Sequence, residues 1–187
     1  MPDTIDVDAL LRSTGALLTG HFRLTSGRHS DTYVEKFRIM EDPAATATLC
    51  ALIGDHFRNA GATVVAGPAM GGVILAYETA RHMGLRDIFA EKDAAGQLFF
   101  DRGFAVEPGQ RVLVIDDVLT TGGSMKRLIE LLQHAGADIV GVAFLIDRTN
   151  GAVDFGLPFY ACHVMNIASY APDECELCKR GIELVET

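Results

Sequence analysis

The stretch from Arg111 to Arg127, RVLVIDDVLTTGGSMKR, constrains the fold more than any other. It opens on an unbroken apolar run, Val112 to Ile115, which reads as a buried parallel strand. Two carboxylates, Asp116 and Asp117, follow where that strand is expected to leave the core, and a turn of hydroxyls and glycines comes next. From Met125 to Gln133, Leu128, Ile129, Leu131 and Leu132 recur at helical spacing. Strand, turn and helix in this order belong to an open α/β sheet, whose ligand crevice lies at such turns.

That geometry selects a chemistry. Thr120, Thr121, Gly122, Gly123 and Ser124 offer backbone N–H groups and hydroxyls at a helix N-terminus, a site for a phosphate dianion. The aspartates would repel that phosphate, so they must face hydrogen-bond donors such as sugar hydroxyls, or a hydrated cation. A sugar phosphate satisfies both halves. No Gly-x-x-x-x-Gly-Lys precedes the helix, and the Gly-x-Gly-x-x-Gly of dinucleotide folds is missing too.

The rest of the composition narrows the class. With 187 residues, 49% apolar and 22% charged, the chain suits one α/β domain with a sizeable core. A net charge of −9 argues against nucleic-acid binding, which needs a basic face. No window approaches the roughly 18 unbroken apolar residues of a membrane span. The start, MPDTIDVDAL, lacks the basic and apolar regions of a signal peptide, so a cytoplasmic location without membrane contact is expected. Four cysteines are few for a disulfide scaffold and suit a reduced compartment.

Along the chain, Asp6 to Leu18 predicts an opening helix stopped near Gly15 or Gly20. Phe22 to Ile39 predicts a β-hairpin, two β-like runs flanking Ser26-Gly27 and the polar cluster Arg28 to Asp31. Asp42 and Pro43 are an N-cap and first-turn proline for a helix through Leu49, Leu52, Ile53 and Phe57. Thr63 to Ala66 predicts a strand running into Gly67-Pro68-Ala69-Met70-Gly71-Gly72 and the helix Val73 to Met83, a second anion site of the same kind. Further strands are expected at Ile88 to Glu91, Ile139 to Ile146 and Phe159 to Ile167. Arg148, at the ligand end of the second of these, offers a guanidinium fork suited to a planar carboxylate or paired carbonyls.

Cys175-x-x-Cys178 invites a zinc or redox reading, but a structural zinc wants four ligands and there is no second Cys-x-x-Cys. Cys162 and His163 would complete a site only if they lay within bonding distance. The pair is read as plain structural thiols, and the sequence alone assigns no metal to it.

The segment DDVLTTGGS resembles the phosphoribosyl pyrophosphate (PRPP) motif of the type I phosphoribosyltransferases. The run of apolar residue, Ser-Gly, basic residue, x, Ser and an aromatic resembles the hood of the orotate phosphoribosyltransferases, and GPAMGG matches their pyrophosphate loop. The resemblance runs from Gly15 to Leu184. It implies the type I phosphoribosyltransferase fold: α/β, a central, mainly parallel sheet flanked by helices, with a small hood that includes a β-hairpin. The whole chain, 1–187, would be one domain, its hood formed mainly by 1–40 with part of the C-terminal tail.

The implied activity is Mg²⁺-dependent transfer of the ribose phosphate of PRPP to orotate. By resemblance, Asp116, Asp117, Val118, Leu119, Thr120, Thr121, Gly122, Gly123 and Ser124 bind PRPP, with Ala69, Met70 and Gly71 at its pyrophosphate. Lys92, also in the PRPP site, opens a loop to Gly103 that bears on the leaving pyrophosphate, and Asp116, Asp117 and Lys92 are the implied catalytic groups. Orotate is assigned to Thr120, Arg148, Tyr33 and Thr25, the last standing where many members carry lysine. A homodimer sharing the Lys92 loop between subunits is expected. The alternatives are a transferase for another base, which should lack the Ser-Gly-Arg hood, and a non-catalytic PRPP-sensing regulator, which the acidic charge and lack of room for a further domain oppose.

Overall fold

The computed structural model describes residues 5–24 and 26–187. In chain order the elements are α1 (Val7–Ser13), β1 (Leu17–Arg23), β2 (His29–Val34), α2 (Phe37–Met40), α3 (Pro43–His56), β3 (Val64–Pro68), α4 (Gly71–Met83), β4 (Arg86–Lys92), β5 (Leu98–Phe99), β6 (Arg111–Leu119), α5 (Gly123–His134), β7 (Asp138–Asp147), β8 (Phe159–Val164), α6 (Glu176–Lys179) and β9 (Val185–Glu186). They fall into two compact units, one of residues Asp42–Met165 and the other of the residues up to Glu41 with Asn166–Thr187.

The larger unit is a six-stranded sheet in the order β5-β4-β3-β6-β7-β8, parallel except for the β4–β5 pair. Its central strands carry unbroken apolar runs because both faces are covered there: Val64, Val65, Ala66 and Val112 to Ile115 are all fully buried. One face packs on α5, whose Met125, Leu128, Ile129 and Leu132 join Val64, Ala66, Ile88, Val112, Val114 and Val142 in a single cluster. Each such side chain contributes about 1.5–3 kcal/mol of burial, so this helix is held by tertiary packing rather than by propensity. Helices α3 and α4 pack together away from that cluster. Asp42 caps α3 as its sequence predicts, accepting from Ala44 N at 2.9 Å and Ala45 N at 3.1 Å.

The smaller unit carries a three-stranded sheet in the order β2-β1-β9, with β1 and β2 antiparallel and β9 parallel to β1. The predicted hairpin is present, but its second run ends at Val34, and Phe37–Met40 forms a helical turn. The opening helix is shorter than expected: Asp6 caps it, Gly15 at φ 71° follows it, and Leu17 and Leu18 belong to β1. Arg28 reaches the tail, donating to Ser169 Oγ at 3.0 Å and to the Ser169 carbonyl at 2.6 Å.

Among the described residues, no helix is long and apolar enough to cross a membrane.

Candidate active site

Parallel strands β4, β3, β6 and β7 lie side by side, so the segments that follow them share one edge of the sheet. Lys92 ends β4, Ala69 to Gly71 follow β3, Thr120 to Ser124 follow β6, and Arg148 follows β7. Four stretches remote in sequence are thereby gathered by strand order alone.

The strand of the central motif is longer than its apolar run implies. It continues through both aspartates to Leu119, because β7 pairs with it there: Asp116 lies opposite Phe144, Val118 opposite Ile146 and Leu119 opposite Asp147. The expectation that the strand leaves the core at Asp116 and Asp117 is therefore corrected, since it runs on to a buried Leu119. Asp116 is half-buried and its Oδ1 accepts the Asp117 N–H at 2.9 Å; Asp117 is 5% exposed and its Oδ1 accepts from Val118 N at 2.6 Å.

Beyond Leu119 the chain turns at Thr120 and Thr121, both exposed, and enters α5 through Gly122 at φ 75°, ψ 2°. A glycine N-cap has no side chain to occupy the first N–H groups of the helix, which leaves those donors to a ligand. Gly122 is fixed twice over. Its left-handed backbone disfavours any L-residue, and a Cβ there would lie 3.0 Å from Val153 Cγ1 and 3.2 Å from Phe155 Cζ. Ser124 accepts from Arg127 Nη2 at 3.4 Å, placing a guanidinium beside the turn, a cation that the sequence reading did not single out.

The second turn is as tightly built. Gly67 and Gly72 pass so close that a Cβ on Gly67 would meet the Gly72 carbonyl oxygen at 2.3 Å, so both positions need hydrogen. The Ala69–Met70 peptide is cis, and Ala69 N donates to the Ala90 carbonyl at 2.8 Å. Helix α4 starts at Gly71, two residues before its predicted start, and Met70 is its N-cap without a side-chain hydrogen bond, 73% exposed. No side chain caps the first N–H groups of this helix, of which Val73 N donates to the Met70 carbonyl at 3.2 Å.

The segment after Lys92 is a hairpin rather than an irregular loop. Lys92 pairs with Leu98 and Glu91 with Phe99, and Asp93 Oδ1 closes the turn by accepting from Ala95 N at 2.9 Å and Gln97 N at 2.8 Å. Of its two cations, Arg102 is engaged by Glu91, Nε to Oε1 at 2.7 Å, while Lys92 stands exposed at the strand end.

Arg148 is half-buried, and its backbone N–H donates to the Leu119 carbonyl at 3.0 Å, tying it to the end of β6 where the Thr120 turn begins. Asp147 beside it is 2% exposed and shapes the turn, accepting from the Thr149 N–H and hydroxyl at 2.7 Å each. Tyr33 belongs to the smaller unit, on β2, where its ring lies 5.6 Å from that of Phe22. Thr25 lies outside the described residues. Burial pushes the Cys50 thiol up to about 11 and that of Cys162 to about 12, so neither supplies a thiolate nucleophile at neutral pH.

Two glycine turns that each lead into a helix N-terminus without a side-chain cap share one edge, with carboxylates between them and an arginine beside them, a constellation suited to a sugar phosphate. Residues 38–162 match the profile of the phosphoribosyl transferase domain. The chain belongs to the phosphoribosyltransferase family, in its orotate phosphoribosyltransferase branch. It is 45% identical over 181 residues to the orotate phosphoribosyltransferase of Pelotomaculum thermopropionicum, covering 97% of this chain and 95% of that one. With the enzyme of the same name from Chlorobium phaeobacteroides it shares 47% identity over 183 residues, 98% of this chain and 93% of that one. The crystal structure of orotate phosphoribosyltransferase from Aeropyrum pernix superposes with a TM-score of 0.72 at 27% identity, over 85% of this chain and 93% of that one. The architecture is the type I phosphoribosyltransferase fold.

Proposed function

We propose that the chain is an orotate phosphoribosyltransferase. It transfers the 5-phosphoribosyl group of PRPP to orotate, giving orotidine 5′-monophosphate and pyrophosphate for pyrimidine biosynthesis in the cytoplasm. The observation that carries this reading is the pair of uncapped helix N-termini, at α5 and α4, on one sheet edge, matched to the two phosphate-bearing ends of one substrate.

Each residue's part follows from its chemistry. The turn Thr120 to Ser124 holds the 5′-phosphate through N–H groups and hydroxyls, and Ala69 to Gly71 hold the pyrophosphate through backbone. Asp116 and Asp117 accept from ribose hydroxyls and favour the positive charge that develops on the ring as the bond to pyrophosphate breaks. Lys92 neutralises charge on the departing pyrophosphate. Arg148 orients orotate, with Thr120, Tyr33 and Thr25 assigned to the base on family resemblance. The ring nitrogen of orotate attacks the ribose directly, so the work is positioning and electrostatics.

The donor set also fits Mg²⁺, which takes one or two carboxylates together with substrate phosphates. Asp116 and Asp117 are the residues that would hold it with PRPP, and the ion would supply charge neutralisation at the pyrophosphate. A homodimer is part of the same proposal. Met70, Ile74 and Tyr77 make an exposed apolar stripe, at 73%, 41% and 58%, along α4 beside the pyrophosphate turn, a surface suited to a second copy.

The test is the fall in orotate ultraviolet absorbance when PRPP and Mg²⁺ are added. The wild-type chain consumes orotate. The double variant Asp116→Asn, Asp117→Asn keeps the acceptors for Asp117 N and Val118 N, hence the fold, and loses turnover by orders of magnitude. Near-normal turnover in that variant removes the aspartates from the mechanism.

A further inference from the structure

We propose that His21, His29, Cys175 and Cys178 bind one zinc ion as a Cys₂His₂ site that fastens the C-terminal tail to the β1–β2 hairpin. The four potential ligand atoms lie within 4.8 Å of one another. His21 Nε2 is 3.1 Å from His29 Nδ1, 3.5 Å from Cys175 Sγ and 3.6 Å from Cys178 Sγ, and Cys178 Sγ is 3.2 Å from His29 Nδ1. Tetrahedral zinc with ordinary bond lengths sets its ligand atoms about 3.4 Å apart for N···N, about 3.6 Å for N···S and about 3.8 Å for S···S. The cluster has the size of a single tetrahedral ion, and the even mixture of thiolate and imidazole suits zinc.

Hydrogen bonding alone suits the cluster poorly. If His29 Nδ1 is unprotonated, each thiol can donate to one ring nitrogen, but two lone pairs then face each other at 3.1 Å. If it is protonated, it joins the thiols at His21 Nε2. His21 Nδ1 lies 2.8 Å from the Ile182 carbonyl, which can only accept, so Nδ1 carries the proton and Nε2 presents one lone pair. Three groups converge on that lone pair, which serves one donor. A cation among the four atoms satisfies all of them, and two thiolates balance its charge. The Ile182 contact is also the outer hydrogen bond that metal-bound histidines use to fix their tautomer and orientation. His21, His29 and Cys175 are 2%, 4% and 0% exposed, so the site is largely dry.

The local fold is built to bring these groups in. Between Thr19, paired with Thr32, and Phe22, paired with Ser30, β1 carries one residue more than β2. This bulge breaks the alternation of the strand, so that His21 and Phe22 are buried in succession. On the tail side, Cys175 is the N-cap of α6 and Cys178 lies within that single turn. The unit has few buried apolar side chains, and β9 is only two residues long. Small units of this kind commonly need a staple beyond their apolar core.

The test uses the full-length chain without an affinity tag and does not depend on enzymatic activity, so it is separate from the phosphoribosyl-transfer proposal. Metal analysis after gel filtration is expected to find about one zinc per chain. Cobalt(II) alone, added to the zinc-stripped protein, should give the intense visible bands of a tetrahedral ion and a near-ultraviolet thiolate charge-transfer band. Cys178→Ser, at the exposed position, should roughly halve the charge-transfer band and weaken zinc binding on the order of 100-fold or more. Zinc removal by chelation should speed proteolysis of the tail after Asn166, and zinc should reverse this. Should Cys178→Ser fail to fold, the wild-type cobalt spectrum still decides. A weak octahedral spectrum overturns the proposal, as does zinc retained undiminished by a folded Cys178→Ser.

Discussion

Replacing Gly122 by alanine should strain the turn before α5 by an amount set by its backbone and its two neighbours. An L-residue held at φ 75° costs about 1–2 kcal/mol. The new Cβ would also press on Val153 at 3.0 Å and Phe155 at 3.2 Å, and overpacking of this kind adds about 1–3 kcal/mol. The total is about 2–5 kcal/mol. Gly109 supplies the control, since it has φ 78° with nothing within 4 Å of a Cβ, and Gly109→Ala should cost only the backbone part, about 1–2 kcal/mol. Urea unfolding of the two variants separates strain from crowding. If Val153 and Phe155 push back, the turn itself shifts, and the Michaelis constant for PRPP should rise on the order of 10- to 100-fold in Gly122→Ala while staying unchanged in Gly109→Ala. Equal losses of stability in the two variants, with PRPP kinetics intact in both, would refute the close packing of the turn.

Arg148→Lys keeps the backbone bond to Leu119 and removes the guanidinium fork, so the Michaelis constant for orotate should rise on the order of 10- to 100-fold with that for PRPP nearly unchanged. An effect confined to PRPP would place Arg148 elsewhere. If Lys92 serves a neighbouring subunit, mixing inactive Lys92→Ala with inactive Asp117→Asn chains should restore part of the activity, because one hybrid site then draws both groups from unmutated copies. Confirmed subunit exchange with no recovery would confine Lys92 to its own subunit or to no role.

Much of this site is legible in the sequence, because it rests on local signals. The apolar run into Asp116, the hydroxyl-glycine turn and the amphipathic helix after it each depend on near neighbours, as does the Asp42 cap. What escaped depends on partners distant in sequence. Strand β6 gains four residues past its apolar run because β7 pairs along that stretch, so the two aspartates lie within the sheet rather than after it. The Lys92 segment folds back as β5 because Asp93 ties its turn, a role that a charged residue in a polar stretch does not announce. Cys162 and His163, considered as partners for Cys175 and Cys178, lie on β8 in the larger unit, with the Cys162 thiol directed to the Leu49 carbonyl. The histidines that do meet the two thiols come from a hairpin near the opposite end of the chain. A bulge redirects one of them, and no sequence period marks a bulge.

The central claim is that the edge built from β3, β4, β6 and β7 transfers phosphoribose to orotate in preference to other bases. Its most direct test is kcat/KM with PRPP and Mg²⁺ for orotate, adenine, guanine and uracil under one set of conditions, with pyrophosphate release followed throughout. The account predicts turnover of orotate with one pyrophosphate per orotate consumed, and with the other three bases lower by orders of magnitude. Turnover of adenine or guanine at or above that of orotate, or no pyrophosphate release with any base, would contradict it.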